Sequence, residues 1–493
     1  MTLAQVFSSG AGNFPKFAAI HHGPHHLAYG QMHGDVELIA AHLFAEGVRP
    51  GQMVGTDSSN PVTHWLTLLA LMRLGAVTVS LSPRFEEEVA VLPGLSMVLS
   101  DAGESRDYGP SIRQLRIQSG WVDEPPAEAV DLPSVEVATA ALGRISFTSG
   151  TTGRPKAVLL DSAMLHTRVA GTAARSRIGA ETVLWCGLGP DSSFGFVTVL
   201  ATWLAGGSII FSRGGKGGYR YLLENGVNQI VASPASLNAL LRDAMTGDLP
   251  RLKASAIVGG GRLTAGMRDR LLNRVCAEVM VSFGCSEAGG LAVGDSAGLD
   301  AEGGYVGQIA PDVQARIVSE TGKEQPPGET GHLWVSSPSI ARAYLGDPAA
   351  DRDHFRDGWF RTGDIARIAG DRELVILGRS VDTFNLGGVK VPGADIDAIA
   401  AEFDTIEDAC AVPLGPGGEE AQIAVVIVSN APEPDALAAR IRARLPTIPP
   451  FLVVSVPAIQ RSAMGKVNRP ALGSRVSDAA AGGTSEIAVL GRY

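Results

Sequence analysis

The chain has 493 residues, 45% hydrophobic and 19% charged, with 41 basic against 51 acidic residues and a net charge of −10. That balance belongs to a globular enzyme rather than a disordered chain, and the length exceeds a single compact core, so two or more domains are expected. The acidic excess argues against a duplex nucleic-acid partner, which needs a strongly basic face, but leaves room for a local basic pocket that takes a nucleotide.

In chain order, MTLAQVFSSGAGNFPKF has no basic head followed by an apolar run, so no signal peptide is read. HHGPHH (His21 to His26) invites a metal-site reading. AAI before it and LAYG after it, however, look like short strands around a Gly-Pro turn, where four histidines cannot all face one ion. HWLTLLALMRLGAVTVSLS is broken by Arg73 and Gly75, and it reads as a buried helix and strand rather than a membrane span. GGSIIFS (Gly206 to Ser212), NQIVAS (Asn228 to Ser233) and SAIVGGG (Ser255 to Gly261) repeat that rhythm, each beside a helix candidate. The expected class is therefore α/β, a large N-terminal domain of layered, largely parallel sheets with helices.

Further on, AQIAVVIVS (Ala421 to Ser429) precedes the helical PDALAARIRARL (Pro434 to Leu445), a small α+β C-terminal unit that the resemblance given below implies to be mobile. GRSVD (Gly378 to Asp382), after the strand-like ELVILG, is the expected junction. The boundaries that follow are 1–378 for the large domain, 379–382 for a hinge, 383–480 for the small domain and 481–493 for a tail. Cys186, Cys276, Cys285 and Cys410 form no CxxC pair, so neither a disulfide framework nor structural zinc is expected, and a reducing cytoplasm is the default setting.

The stretch FTSGTTGRPKAV (Phe147 to Val158) carries the first chemistry. A strand-like RISF ends at Thr148. The loop after it offers the hydroxyls of Thr148, Ser149, Thr151 and Thr152, the glycines Gly150 and Gly153, and the charge of Lys156. Glycines let several backbone N–H groups turn toward one anion, and hydroxyls add donors, so this is phosphate chemistry. A Walker A loop is excluded, because Gly150 and Gly153 are too close and Ala157 follows Lys156 where a hydroxyl would hold Mg²⁺.

This stretch resembles the signature loop of the adenylate-forming superfamily, which contains acyl- and aryl-CoA synthetases, peptide-synthetase adenylation domains and luciferases. Other segments of that family appear in order: FGCSEAGG (Phe283 to Gly290), GHLWVSSPSIARAYLGDP (Gly331 to Pro348), GWFRTGDIA (Gly358 to Ala366), GRSVDTFNLGGVKVPGADID (Gly378 to Asp397) and RSAMGKVNR (Arg461 to Arg469). The resemblance implies ATP-dependent activation of a carboxylic acid to an acyl-adenylate with release of pyrophosphate. It implies that the loop donors and Lys156 face the β- and γ-phosphates, and that Glu287 holds Mg²⁺. Ser286, where the family has threonine, would reach the α-phosphate, Asp364 the ribose hydroxyls, and Arg379 ribose or phosphate. Phe283, Gly284 and Gly259 to Gly261 would enclose the adenine. Lys466 would be the catalytic lysine, placed between the carboxylate oxygen and the α-phosphate. After adenylation the small domain would turn about Val381 and bring Gly387 and Gly388 to a thiol tunnel.

Several positions depart from the family pattern: Ala157 for glycine, His332 for glutamate, Val381 for lysine or aspartate at the hinge, and Gln460 for proline. The sharpest departure is GPDSSFGF (Gly189 to Phe196), whose Asp191 is either an amine or hydroxyl reader or a turn residue. The acid-pocket candidates are Asp191, Ser193, Phe194, Ser233, Gly259, Gly284 and Gly289, and the small residues at Gly259 to Gly261 and Gly289 to Gly290 leave room for an extended or aromatic group. The sequence ends shortly after the lysine motif and GGVKVP resembles CoA ligases, so an AMP-forming carboxylate–CoA ligase using ATP, Mg²⁺ and CoA is expected. The alternatives are an enzyme that loads an amino or aryl acid onto carrier-protein phosphopantetheine, and a catalytically silent nucleotide-binding member.

Overall fold

The computed structural model describes residues 18–493 except 24, 83–84, 102–105, 129, 133–139, 150–154, 212–216, 302, 381, 387–388, 404, 415–421, 462–466 and 481–486. A six-stranded sheet is parallel through Arg113–Arg116, Leu95–Ser100, Met53–Asp57, Val77–Ser80 and Leu142–Ser149, then ends on the antiparallel strand Pro155–Asp161. A 14-stranded sheet begins at the histidine hairpin, Ala18–His22 paired antiparallel with His25–Ala28, as the Gly-Pro turn implied. It runs parallel through Ser208–Phe211, Val183–Cys186, Gln229–Ala232, Ser255–Val258 and Glu278–Cys285.

The strand–helix rhythm stops at Glu278–Cys285. From Gly289–Asp295 to the far edge at Gln314–Val318 every pairing is antiparallel, because few helices intervene and short turns can join only antiparallel strands. The largely parallel expectation therefore holds for one half of this sheet.

Helix Pro61–Arg73 covers the smaller sheet and helix Ser193–Leu204 the larger. The second is apolar all round, SFGFVTVLATWL, and is buried from Gly195 to Trp203 because it lies between layers. Trp65 of the first helix stacks on Phe196 at 5.5 Å and meets Trp203 edge-on at 5.2 Å, which joins the layers. Trp203 also donates its indole N–H to the Ala19 carbonyl at 2.9 Å, so the sheet's first strand is tied to the same seam.

The strand Glu373–Arg379 is the last contribution to the large sheet, and Thr383–Leu386 starts a separate two-stranded sheet. The C-terminal unit contains a four-stranded sheet with helices on both faces. Val425, Ile427 and Val453 face helices Gly393–Ala400 and Pro434–Arg444, while Val426 and Val454 face Arg469–Ala480. Burial on both faces explains the unbroken apolar run of AQIAVVIVS. The putting of 481–493 in a tail needs correction: Ala488–Arg492 is the edge strand of this sheet, paired with Leu452–Ser455. Its apolar AVL is too short to stand out in a sequence. Among the described residues no helix is long and apolar enough to cross a membrane.

Trp203→Ala removes an indole that is 1% exposed together with its hydrogen bond. A cost of about 3–5 kcal/mol to the large unit is expected, read as a lower urea midpoint by tryptophan-independent circular dichroism. A midpoint within error of wild type would contradict the seam assignment.

Candidate active site

Each parallel run ends where its last strand turns into an antiparallel partner, at Ser149 and at Cys285, and ligands of α/β sheets bind beyond such carboxyl ends. The two ends touch: Ser286 Oγ donates to the Phe147 carbonyl at 3.1 Å. Behind them Arg168, buried in helix Ser162–Arg175, donates to the carbonyls of Ser286 (2.7 Å), Glu287 (2.8 Å) and Ser339 (2.7 and 3.1 Å). Burial pushes its pKa down to about 10 against the pull of the neighbouring acids, so the guanidinium stays charged and clamps the turn that carries Glu287.

The Glu287 carboxylate is 5% exposed and accepts from the Tyr344 hydroxyl at 2.8 Å. Burial, reinforced by Glu287, raises the Tyr344 pKa, so the phenol remains a donor. Lys156 Nζ lies 4.9 Å from the centroid of the same ring and 3.4 Å from His354 Nε2. Because His354 Nδ1 sits 2.9 Å from the Arg361 carbonyl, Nδ1 donates there and Nε2 is left to accept from lysine. Lys156 pairs in register with Thr148 across the hairpin, so both arms of the predicted loop are placed. Gly150, Thr151, Thr152, Gly153 and the Ser149 side chain lie outside the described residues.

Asp364 and Arg379 are register partners on adjacent strands, with Arg379 Nε 3.3 Å from Asp364 Oδ1. Burial opposes the Arg379 charge, but Asp364, Asp382 and Glu287 outweigh it and raise its pKa. Oxygen donors at Glu287 and Ser286 suit a hard cation such as Mg²⁺, which takes one or two carboxylates and fills its shell with substrate phosphate and water.

The acid-pocket candidates divide. A Cβ on Gly284 would strike the Gly289 carbonyl, so glycine is required there, and one on Gly259 would fall 2.9 Å from the Phe194 ring, which would have to shift. Gly289 and Gly260 adopt φ of 75° and 78°, the left-handed region that favours glycine. Phe283, Phe194, Ser193, Gly259 to Gly261, Gly284 and Gly289 line one cleft. Ser233 lines the cleft as well, and its hydroxyl also caps helix Pro234–Ala244 by accepting from Ser236 N at 3.2 Å. Asp191 also lines the cleft, while the cap of helix Ser193–Leu204 is its neighbour Ser192. Burial raises the Asp191 pKa, partly offset by bonds to backbone N–H groups and by Arg144.

Arg144, 1% exposed, bonds the Pro190 carbonyl and Ser80 Oγ, and its guanidinium lies 3.7 Å from the Phe196 ring centroid. His64 completes this layer, with Nε2 3.0 Å from Ser80 Oγ and Nδ1 3.3 Å from the Ser58 carbonyl.

The same cleft, about 1500 Å³, is lined from the small unit by Asp397, Arg461, Val467 and Arg469. Arg469 bonds Asp397 at 2.5 Å and Arg461 bonds Asp408 at 2.6 Å. These two anchored arginines bracket the segment that holds Lys466. Lys466 itself, with Gly387, Gly388 and Val381, lies outside the described residues. Arg262 of the large unit pairs with Asp395 of the small one.

Sequence reasoning missed Arg168, Tyr344, His354 and Arg144. Tyr344 stood inside a quoted motif, but its bond to Glu287 spans 57 positions; a lone arginine in a helix, such as Arg168, carries no local signal.

A layered α/β enzyme with buried carboxylates, a cation-bearing hairpin and an interdomain cleft is an architecture for nucleotide chemistry. The family model described as AMP-binding enzyme matches residues 7–345, and the chain belongs to that family. Feruloyl-CoA synthase of an Amycolatopsis species is 28% identical over 453 residues, covering 87% of this chain and 90% of that protein. Fatty acid–[acyl-carrier-protein] ligase MmaC of Mycobacterium marinum is 28% identical over 510 residues, covering 93% and 94%. The solved O-succinylbenzoate coenzyme A synthetase of Bacillus subtilis, in complex with ATP and magnesium ion, shares the fold at a TM-score of 0.82 with 19% identity, covering 94% and 98%.

Burial, joined by the Arg144 charge and opposed by the Ser58 bond, lowers the His64 pKa to about 4. A histidine held neutral contributes fully above its unfolded value near 6.5, and the contribution is lost as pH falls toward 4, about 3 kcal/mol across that window. The stability gap between wild type and His64→Gln should therefore narrow by that amount between pH 7 and pH 4 in urea titrations. A constant gap would show that the imidazole is not held neutral.

Proposed function

We propose that the protein is an AMP-forming carboxylate–CoA ligase. The carboxylate oxygen attacks the α-phosphorus of ATP, the bond to the β-phosphate bridging oxygen breaks, and pyrophosphate leaves. The CoA thiolate then attacks the acyl carbon of the adenylate and AMP departs, leaving the thioester. The observation that carries this reading is the convergence on one cleft of the Glu287 turn, the Asp364–Arg379 pair and the anchored flanks of Lys466.

In this assignment Thr148, Ser149, Thr151, Thr152 and Lys156 neutralise the β- and γ-phosphates, with Gly150 and Gly153 letting the backbone approach. Glu287, oriented by Tyr344, would hold Mg²⁺, which when bound would screen the phosphate charges. Ser286 donates to the α-phosphate, while Asp364 accepts from the ribose. Lys466 brings its ammonium to the transition state, where charge gathers between carboxylate and α-phosphate. Residues 379–382 serve as the hinge, and a turn of the small unit that carries Gly387 and Gly388 to the thiol path must break the Arg262–Asp395 pair.

An aryl acid fits this pocket best. Phe194 offers a ring against Gly259, Gly284 and Gly289 leave the floor without side chains, and feruloyl-CoA synthase is a full-length relative. The likeness to a ligase of acyl-carrier protein supports a second reading, transfer to carrier-bound phosphopantetheine.

Lys466→Ala should reduce pyrophosphate exchange at least 100-fold while sparing thiolysis of a supplied acyl-adenylate; equal loss of both half-reactions would contradict the assignment. Incubation with ATP, a panel of aryl and aliphatic acids and either CoA or carrier protein decides the acceptor. CoA thioester is expected, and adenylate that persists until carrier protein is added would overturn the CoA reading.

A further inference from the structure

HHGPHH, His21 to His26, takes no part in the adenylation site: it forms the outer edge of the large sheet, and neither His21 nor His26 lines the cleft. Which of its histidines meet depends on the register across the Gly-Pro turn. The hairpin sets His21 opposite His26 and His22 opposite His25. Successive residues of a strand alternate faces, so His22 leaves the face that His21 occupies. On that face His21 Nδ1 lies 2.8 Å from His26 Nδ1, with the ring centroids 4.6 Å apart and the planes at 79°.

Two ring nitrogens that close repel through their lone pairs unless a proton or a cation sits between them. A proton serves one lone pair only, since one Nδ1–H donates and the other Nδ1 accepts. A metal ion serves both. Metal–nitrogen bonds of about 2.0 Å that meet at a right angle put two nitrogens about 2.8 Å apart, whereas a tetrahedral angle puts them about 3.3 Å apart. The separation in the hairpin matches the right angle, the tetragonal geometry of Cu²⁺ and Ni²⁺. Mg²⁺ takes oxygen ligands and does not suit the pair. Burial and the nearby His26 lower the His21 pKa, so this imidazole is neutral at pH 7 and has a lone pair to give. The backbone holds the ligands in place beforehand. The His21 strand pairs with Ser208–Phe211, and the Tyr221 hydroxyl donates to the Gly23 carbonyl in the turn at 2.9 Å.

We propose that His21 and His26 form a chelating site for one divalent transition-metal ion of the Cu²⁺ or Ni²⁺ kind, with water in the remaining positions. Two Nδ1–metal bonds form and two waters leave the hydrated ion. The proton between the rings moves through solvent to Nε2 of its own ring, so both imidazoles coordinate as Nε2–H tautomers and the oxidation state is unchanged. The ion cross-links the two strands of the hairpin, which the Trp203–Ala19 bond ties to the interlayer seam.

The test titrates untagged, chelator-stripped wild type with Cu²⁺ alone, beside His21→Gln, His26→Gln and His22→Gln, by calorimetry and electron paramagnetic resonance. Wild type and His22→Gln should each bind one equivalent with an axial spectrum split by two nitrogens. His21→Gln and His26→Gln should bind it roughly tenfold or more weakly and with one nitrogen, because the second ligand of a chelate binds as an intramolecular step. His26 is exposed, so its variant carries the test even if His21→Gln fails to fold. Wild-type affinity in either of these two variants overturns the site. Loss of the equivalent in His22→Gln also overturns it, since the ion would then lie on the other face. A wild type without a two-nitrogen spectrum overturns it too and leaves the pair as a hydrogen bond that shares a proton.

Discussion

A single buried guanidinium holds the centre of this molecule. Arg168 spends its N–H groups on three backbone carbonyls, those of Ser286, Glu287 and Ser339, two of them from the turn after the last parallel strand. A buried charge must be compensated, and carbonyl dipoles compensate it without consuming a carboxylate. Glu287 is thus left to accept from Tyr344. The same turn reaches across to the other sheet through Ser286 and Phe147, so the hairpin bearing Lys156 and the turn bearing Glu287 are placed relative to each other by short bonds.

The cations of the cleft differ in how they are held. Arg379, Arg461 and Arg469 are each paired with a carboxylate, and such pairs define geometry more than they add stability. Their use is positional: two of them hold the ends of the segment that carries Lys466. Arg242 and Arg274, by contrast, are exposed on the cleft wall and have no ion pair among the described residues. Space is set by glycine in the same way. Gly284 and Gly289 pass so close that no side chain fits, and the floor of the pocket is backbone.

Much of this was legible in the chain. The alternation of β-branched runs with helical ones indicated the parallel parts of both sheets, and the Gly-Pro turn among histidines indicated a hairpin, because both follow from local geometry. The spacing of Gly150, Gly153 and Lys156 excluded a Walker loop without any structure at all. The edge strand Ala488–Arg492 was not legible, since a five-residue strand becomes one only by pairing with Leu452–Ser455. Nor was the capping duty of Ser233, which in sequence is one serine in a run before proline.

By itself the sequence determined which chemical groups are present and in what order: the hydroxyl-rich loop, Glu287, Asp364, Arg379 and Lys466, each within a motif whose spacing carries meaning. Tertiary structure alone decided which of them meet. The Tyr344–Glu287 bond, the Arg168 clamp, the Arg144–Pro190 contact under Asp191 and the arginines facing the cleft from two helices all join residues far apart in the chain. Periodicity and turn chemistry act over a few residues, whereas these contacts depend on how whole layers pack, and packing is a property of the assembled core.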